Sequence, residues 1–71
     1  MSDWGEYAKR AFRVEMQRKG MSYADLVSAL AEAGVKETEA NLRNKVSRGS
    51  FTAAFLFQCL AAMDVKTIHL D

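Results

Sequence analysis

The chain has 71 residues, of which 49% are apolar, and its formal net charge is only +1. A chain this short cannot bury two cores, so we expect one domain spanning residues 1–71. No window approaches the roughly 18 apolar residues of a membrane span, and the first residues lack a signal-peptide pattern. We therefore expect a cytoplasmic protein that does not contact membranes.

Residues 3–19 have the apolar spacing of an amphipathic helix. Gly20 follows in the position that commonly ends a helix. The predicted core side of this first helix carries Trp4, Ala8, Ala11, Phe12 and Met16. Its other faces carry five basic residues, which we interpret mainly as a solvated surface, with contacts to nucleic-acid phosphates as the alternative.

A second helix is predicted at residues 23–33. Ser22 precedes it and Asp25 lies three residues later, which is a variant of the capping-box spacing. Gly34 is placed to end the helix, and Val35 is the apolar residue of the turn that follows.

The third predicted helix, at residues 39–48, has the composition of a nucleic-acid contact. Thr38, or alternatively Glu37, caps its start. Leu42 and Val46 are four residues apart and can face a core together. The remaining positions hold Asn41, Arg43, Asn44, Lys45, Ser47 and Arg48. Arginine and asparagine match base edges and lysine meets phosphates, although a plain solvated helix can carry the same residues.

A fourth helix at residues 53–63 is far more apolar. Phe55, Cys59 and Met63 share one face, whereas Phe57 points well away from it. We therefore expect burial on more than one side. Cys59 has no partner in the chain, which excludes an internal disulfide and a CxxC metal motif, and we interpret it as a small buried apolar residue.

The last residues alternate in the manner of a short β-strand, at about residues 66–70. No other segment has a strand pattern, so pairing with the same strand of a second copy is the expected solution for its backbone groups. His69 is expected to be exposed there and not a metal ligand. The predicted homodimer surface consists of Phe57, Thr67, Ile68, His69 and Leu70.

The sequence contains no catalytic constellation, because one histidine, one cysteine and scattered carboxylates do not pair an acid with a base. An enzyme, a metal site, a cofactor and a small-molecule ligand are therefore not expected. The predicted fold is all-α, with four helices and a short C-terminal strand.

The order of these helices resembles the Cro and lambda-repressor type of helix-turn-helix protein over roughly residues 8–65. The closest matches are Gly34-Val35 at the turn, the inward pair Leu42 and Val46, and Ser47-Arg48-Gly49. The sequence from Glu39 to Gly49, with the later Ala-Ala-Phe and Gln-Cys-Leu, also resembles a family of small uncharacterised bacterial proteins. That second likeness names no activity.

The helix-turn-helix resemblance implies that the second and third helices form a DNA-binding pair, with the third in the major groove. It implies base contacts by Ala40, Arg43, Asn44 and Ser47. It implies phosphate contacts by Lys36, Asn41, Lys45 and Arg48. Two departures from the family pattern are about three additional residues at Lys36 to Thr38 and Tyr23 in place of a phosphate-binding glutamine.

From these observations we expect a protein that binds double-stranded DNA sequence-specifically as a homodimeric transcriptional repressor or regulator. The alternative is a protein-interaction module, such as a phage-type inhibitor or an adaptor, that keeps the helix-turn-helix scaffold. The net charge of only +1 favours this alternative, since DNA-binding domains commonly have a basic excess.

Overall fold

The computed structural model describes residues 3–68, and these residues form four α-helices and no β-strand. The helices are α1 (Trp4–Arg18), α2 (Tyr23–Glu32), α3 (Glu39–Arg48) and α4 (Ala53–Ala62). The prediction of an all-α fold with four helices is confirmed. None of these helices is both long enough and apolar enough to cross a lipid bilayer.

A side-chain oxygen caps the start of every one of these four helices. The capping residues are Asp3, Ser22, Thr38 and Thr52, and each accepts a hydrogen bond from the backbone N–H three residues later. A cap of this kind stabilises a helix by about 1 kcal/mol. In α2 the Ser22 N–H also donates to Asp25 at 2.9 Å, and this bond holds the pKa of the Asp25 carboxyl below its ordinary value.

Three of the helices end with the same backbone arrangement. The N–H groups of Met21, Val35 and Val65 donate to the carbonyls of Met16, Leu30 and Leu60, each five residues earlier, which is the Schellman pattern. The residue before each donor, which is Gly20, Gly34 or Asp64, has a positive φ. The donor side chains then pack against the core. Each Schellman motif thus ends a helix and adds an apolar residue to the interior.

The predicted strand at about residues 66–70 is wrong over the part of it that the structure describes, since residues 65–68 adopt neither strand nor helix. Val65, which begins the alternating run, belongs to the Schellman motif of α4. Thr67 and Ile68 follow it as exposed residues. Asp64 takes the left-handed conformation at φ 58°, at the position where the Schellman motifs of α1 and α2 have glycine. Because no glycine follows α4, the sequence contained no sign that the helix ends there. His69 and Leu70 lie outside the described residues.

The core fixes which side of α3 faces outward. Leu42 and Val46 are completely buried, together with Phe12 of α1 and Leu26 and Leu30 of α2. Helix α3 packs against both α1 and α2, and α4 packs against α2. The inward positions of α3 are therefore occupied by its two apolar residues, and its polar residues project away from the core.

The start of α1 lies directly against the end of α3. The ideal Cβ position of Gly5 is 3.4 Å from the Arg48 carbonyl oxygen, and a Cβ on Gly49 would overlap the backbone of Gly5. Gly49 also has φ 65°, the left-handed conformation that glycine adopts without strain. This backbone contact sets the position of the C-terminal end of α3.

Candidate nucleic-acid interface

The exposed face of α3 brings together the residues that were predicted to contact bases. Ala40, Arg43, Asn44 and Ser47 recur at helical spacing, and all four are exposed. Asn41 and Arg48 are exposed beside them. Arginine and asparagine side chains therefore stand next to each other on one solvent-facing strip of a regular helix.

Arg43 is oriented by two neighbours within the protein. Its Nη2 donates to Glu39 Oε1 at 2.8 Å, and its guanidinium carbon lies 5.1 Å from the centre of the Tyr23 ring. Roughly half of each side chain in the pair with Glu39 is exposed to solvent. A pair this open contributes well under about 1 kcal/mol to stability, so it can be exchanged for another partner at low cost.

Tyr23 and Arg13 border a groove where α1, α2 and α3 meet. The groove has a volume of about 470 Å³, and Met16 and Met21 form part of its apolar lining. Arg13 Nε donates to the Tyr23 hydroxyl at 3.4 Å. At the beginning of α2, the Arg13 guanidinium from α1 thus reaches the Tyr23 hydroxyl, and the Arg43 guanidinium from α3 lies near the Tyr23 ring.

Arg13 and Tyr23 are residues of this surface that the sequence analysis missed. Arg13 was one of five basic residues on the first helix, and nothing in the sequence separates it from the other four. Tyr23 was recognised only as a departure from the glutamine of helix-turn-helix proteins. Their proximity depends on how α1 and α2 are placed relative to each other, which no local pattern encodes.

Lys45 is only partly buried and lies on the side of the α2–α3 turn. Its Nζ is 2.6 Å from Glu37 Oε2 and 4.4 Å from the centre of the Phe55 ring. The Glu37 side chain is only 7% exposed. A phosphate would therefore compete with Glu37 for this ammonium group. The turn between α2 and α3 is tied to α3 through the same pair.

Two of the other predicted phosphate contacts lie together at the start of α3. Lys36 and Asn41 both line a shallow groove beside the turn. Lys36 is exposed and has no carboxylate at salt-bridge distance among residues 3–68. Arg48 is likewise exposed and free of such a partner in the same part of the chain, but it lies at the opposite end of α3.

The described residues of the predicted dimer surface also meet in one place. Phe57, Thr67 and Ile68 line a groove of about 260 Å³ between the C-terminal half of α4 and the residues that follow it. Phe57 is 64% exposed. The predicted partners His69 and Leu70 lie outside the described residues.

Cys59 is unsuited to reaction or metal binding. It is completely buried, and this burial, with a smaller effect of Glu37 that outweighs Lys45, raises the pKa of its thiol to about 12. Among residues 3–68, no cluster of three histidine, cysteine or acidic side chains is arranged to hold a metal ion.

No curated protein and no solved structure is significantly similar to the chain. A family model, in contrast, matches residues 4–68, and its description is a domain of unknown function (DUF6471). The match confirms the likeness to a small uncharacterised family and does not extend to the Cro and lambda-repressor type. Because it spans nearly the whole sequence, the chain belongs to the DUF6471 family.

Proposed function

We propose that the protein binds double-stranded DNA sequence-specifically, with α2 and α3 acting as a helix-turn-helix and α3 lying in the major groove. The observation that carries this proposal is the exposed strip of α3, which presents Arg43, Asn44 and Ser47 with Arg48 beside them. Glu39 is the only carboxylate on this helix. A helix with this surface fits a polar, negatively charged groove better than it fits an apolar partner.

Arg43 and Asn44 are the proposed base readers. A guanidinium can donate two hydrogen bonds to guanine O6 and N7, and a carboxamide can pair in the same way with adenine N6 and N7. Each such pair discriminates against a wrong base by about 1–3 kcal/mol. Arg43 leaves Glu39 when it reaches a base, and the exposure of that ion pair makes the exchange inexpensive.

Cationic and polar side chains around this strip supply the proposed phosphate contacts. Arg13 of α1 lies beside Tyr23 at the beginning of α2, while Lys36 and Asn41 line the groove at the turn. Arg48 lies at the end of α3. Phosphate contacts fix the register of a protein on the duplex, and base contacts then select the sequence. This division of roles gives α3 a defined position without requiring a large net charge.

The resemblance to Cro and lambda-repressor proteins supports a regulatory role, in which two copies occupy a two-fold symmetric site and repress transcription. Such dimers read half-sites about one helical turn apart. A single domain of this size makes few base contacts, so pairing supplies affinity that one copy lacks.

Selection from a pool of randomised duplex DNA tests the proposal. The wild-type protein is expected to enrich one palindromic sequence. The double variant Arg43→Ala, Asn44→Ala, verified as folded by circular dichroism, should retain weak binding and lose the preference. Arg18→Ala, Lys19→Ala is the control, because it removes two exposed cations from the far end of α1 and should enrich the same sequence. If the Arg43→Ala, Asn44→Ala variant also selects that sequence, other residues read the bases.

A protein-interaction module is the second candidate function, favoured by two strongly exposed aromatic residues. Trp4 is 72% exposed and Phe57 is 64% exposed. Exposed aromatic side chains are common anchors of protein interfaces. Failure of the protein to bind heparin or genomic DNA at low salt would favour this candidate over DNA binding.

A further inference from the structure

The outward face of α4 differs from every other exposed helix face in carrying no charge. None of the ten residues of α4 is acidic or basic, and its one titratable group, the Cys59 thiol, is buried. The exposed positions are Ala53, Ala54, Phe57, Gln58 and Ala61, which recur along one side of the helix. Alanine side chains add little bulk and Gln58 is polar, so Phe57 is the one large apolar side chain that projects from this face.

A groove lies immediately beside the projecting phenylalanine. Leu60, Ala61, Val65 and Ile68 give it a mostly apolar lining, and Phe57 itself forms part of its edge. Lys66, which pairs with Asp64 at 3.9 Å, and Thr67 are its polar lining residues. Its volume of about 260 Å³ exceeds the ~150 Å³ of an apolar cavity known to take up benzene. The groove therefore has room for a phenyl ring from another molecule.

We propose that this surface binds a second copy of the chain, with Phe57 of each copy inserted into the groove between α4 and residues 65–68 of the other. A two-fold interface uses the same patch on both partners, so the patch must be complementary to itself. A projecting ring next to a ring-sized groove meets that requirement. An uncharged helix meets it as well, because two copies bring no like charges together along α4.

The position of the groove is compatible with the proposed DNA contact. Helix α4 packs against α2 through the side that holds Phe55, Cys59 and Leu60, and Phe57 points away from that side. The exposed strip of α3 contributes no residue to the groove. The proposed contact between two copies therefore uses no residue of the α3 strip.

This pairing replaces the strand pairing that the sequence suggested. Thr67 and Ile68 contribute to it as lining of the groove, through side chains, and not as members of a β-ladder. The role of this dimer rests on the proposed function, in which two copies bind one DNA site. The contact itself is measurable without DNA, so a failure of dimerisation and a failure of DNA binding are separate results.

Sedimentation equilibrium of the full chain over micromolar to submillimolar concentrations tests the inference. The wild-type protein is expected to approach twice its chain mass of 7.9 kDa. Phe57→Ala should weaken the dimer by about tenfold or more, as removal of a central aromatic anchor does. Ala61→Glu, which places a carboxylate in the exposed lining of the groove, should weaken it as well.

Trp4→Ala is the matched control, because Trp4 is even more exposed than Phe57 and lies on α1. It should leave the dimer unchanged. Thermal unfolding of each variant monitors the fold, and both replaced residues on α4 are exposed, so the monomers should remain folded. A wild-type monomer at all concentrations overturns the inference and leaves the groove to a different protein. A dimer that Phe57→Ala and Ala61→Glu do not weaken also overturns it.

Discussion

At the scale of single residues, two glutamates near the start of α3 have opposite surroundings. Glu37 is almost fully buried against Lys45, whereas Glu39 shares an exposed pair with Arg43. Charges removed from water need a partner far more than charges at the surface do. The two ion pairs therefore have different roles, although they lie two residues apart. The Glu37–Lys45 pair anchors the turn, and the Glu39–Arg43 pair orients an arginine that can exchange Glu39 for another partner.

Replacement of Glu37 by glutamine should destabilise the protein by about 1–2 kcal/mol, because Lys45 loses a charged hydrogen bond in a partly buried place. Glu39→Gln is the matched control and should change the free energy of unfolding by less than about 0.5 kcal/mol. Urea denaturation followed by far-UV circular dichroism measures both values. Equal effects of the two substitutions would mean that the Glu37 pair does not anchor the turn.

At the scale of elements, the contact between α1 and α3 depends on two glycines with different tolerances. Gly49 has a left-handed backbone conformation and lies against the backbone of Gly5. A residue with a side chain would be strained in this conformation and would have no space for its Cβ. Gly5 is helical, and a methyl group there would meet its neighbours at ordinary contact distances. The close approach of the two backbones positions the end of α3. It requires glycine at position 49 but not at position 5.

The substitution Gly49→Ala should destabilise the fold by at least about 2 kcal/mol, since it combines a left-handed alanine with a steric overlap. In contrast, Gly5→Ala should be neutral or should stabilise the protein by up to about 0.5 kcal/mol, because alanine has the higher helix propensity. The midpoints of thermal unfolding compare the two variants. A Gly49→Ala protein as stable as Gly5→Ala would show that the helices do not approach closely.

The elements also show how far the sequence specifies this fold. Capping residues such as Ser22 with Asp25, and glycines such as Gly34, mark helix ends through backbone chemistry that acts within a few residues. The end of α4 uses the same Schellman motif with Asp64, and without the glycine the following alternation was misinterpreted as a strand. Local rules predicted the helices, and they failed where a less common residue adopts the left-handed conformation.

At the scale of the whole molecule, the packing assembles features that are distant in the sequence. Arg13, Tyr23 and Arg43 come from three helices and meet at one groove. The periodicity of each helix predicted which face is buried, so the exposed strip of α3 could be anticipated from Leu42 and Val46. The meeting of three helices could not, because it depends on their crossing angles. The sequence therefore indicated the helix of the candidate site but not its surroundings.

The arrangement of the four helices separates two proposed surfaces. The polar strip of α3 is the proposed contact with DNA, and the uncharged face of α4 is the proposed contact with a second copy. Arg48 lies beside the strip and Arg18 lies away from it, so replacing each arginine compares the contribution of the strip to DNA binding with that of the remaining surface. They lie near opposite ends of α1, since Arg48 adjoins Gly5 while Arg18 ends the helix. At 1.5 Å per residue this separation is about 20 Å.

The most direct test of the central claim is the salt dependence of binding to duplex DNA, measured by fluorescence anisotropy. Each neutralised phosphate adds about −0.9 to the slope of log K against log salt. We predict a steep slope for the wild-type protein and a slope shallower by about 1 for Arg48→Ala, whereas Arg18→Ala should match the wild type. Absence of binding at low salt, or an equal loss in both variants, would contradict the assignment of the α3 strip to DNA.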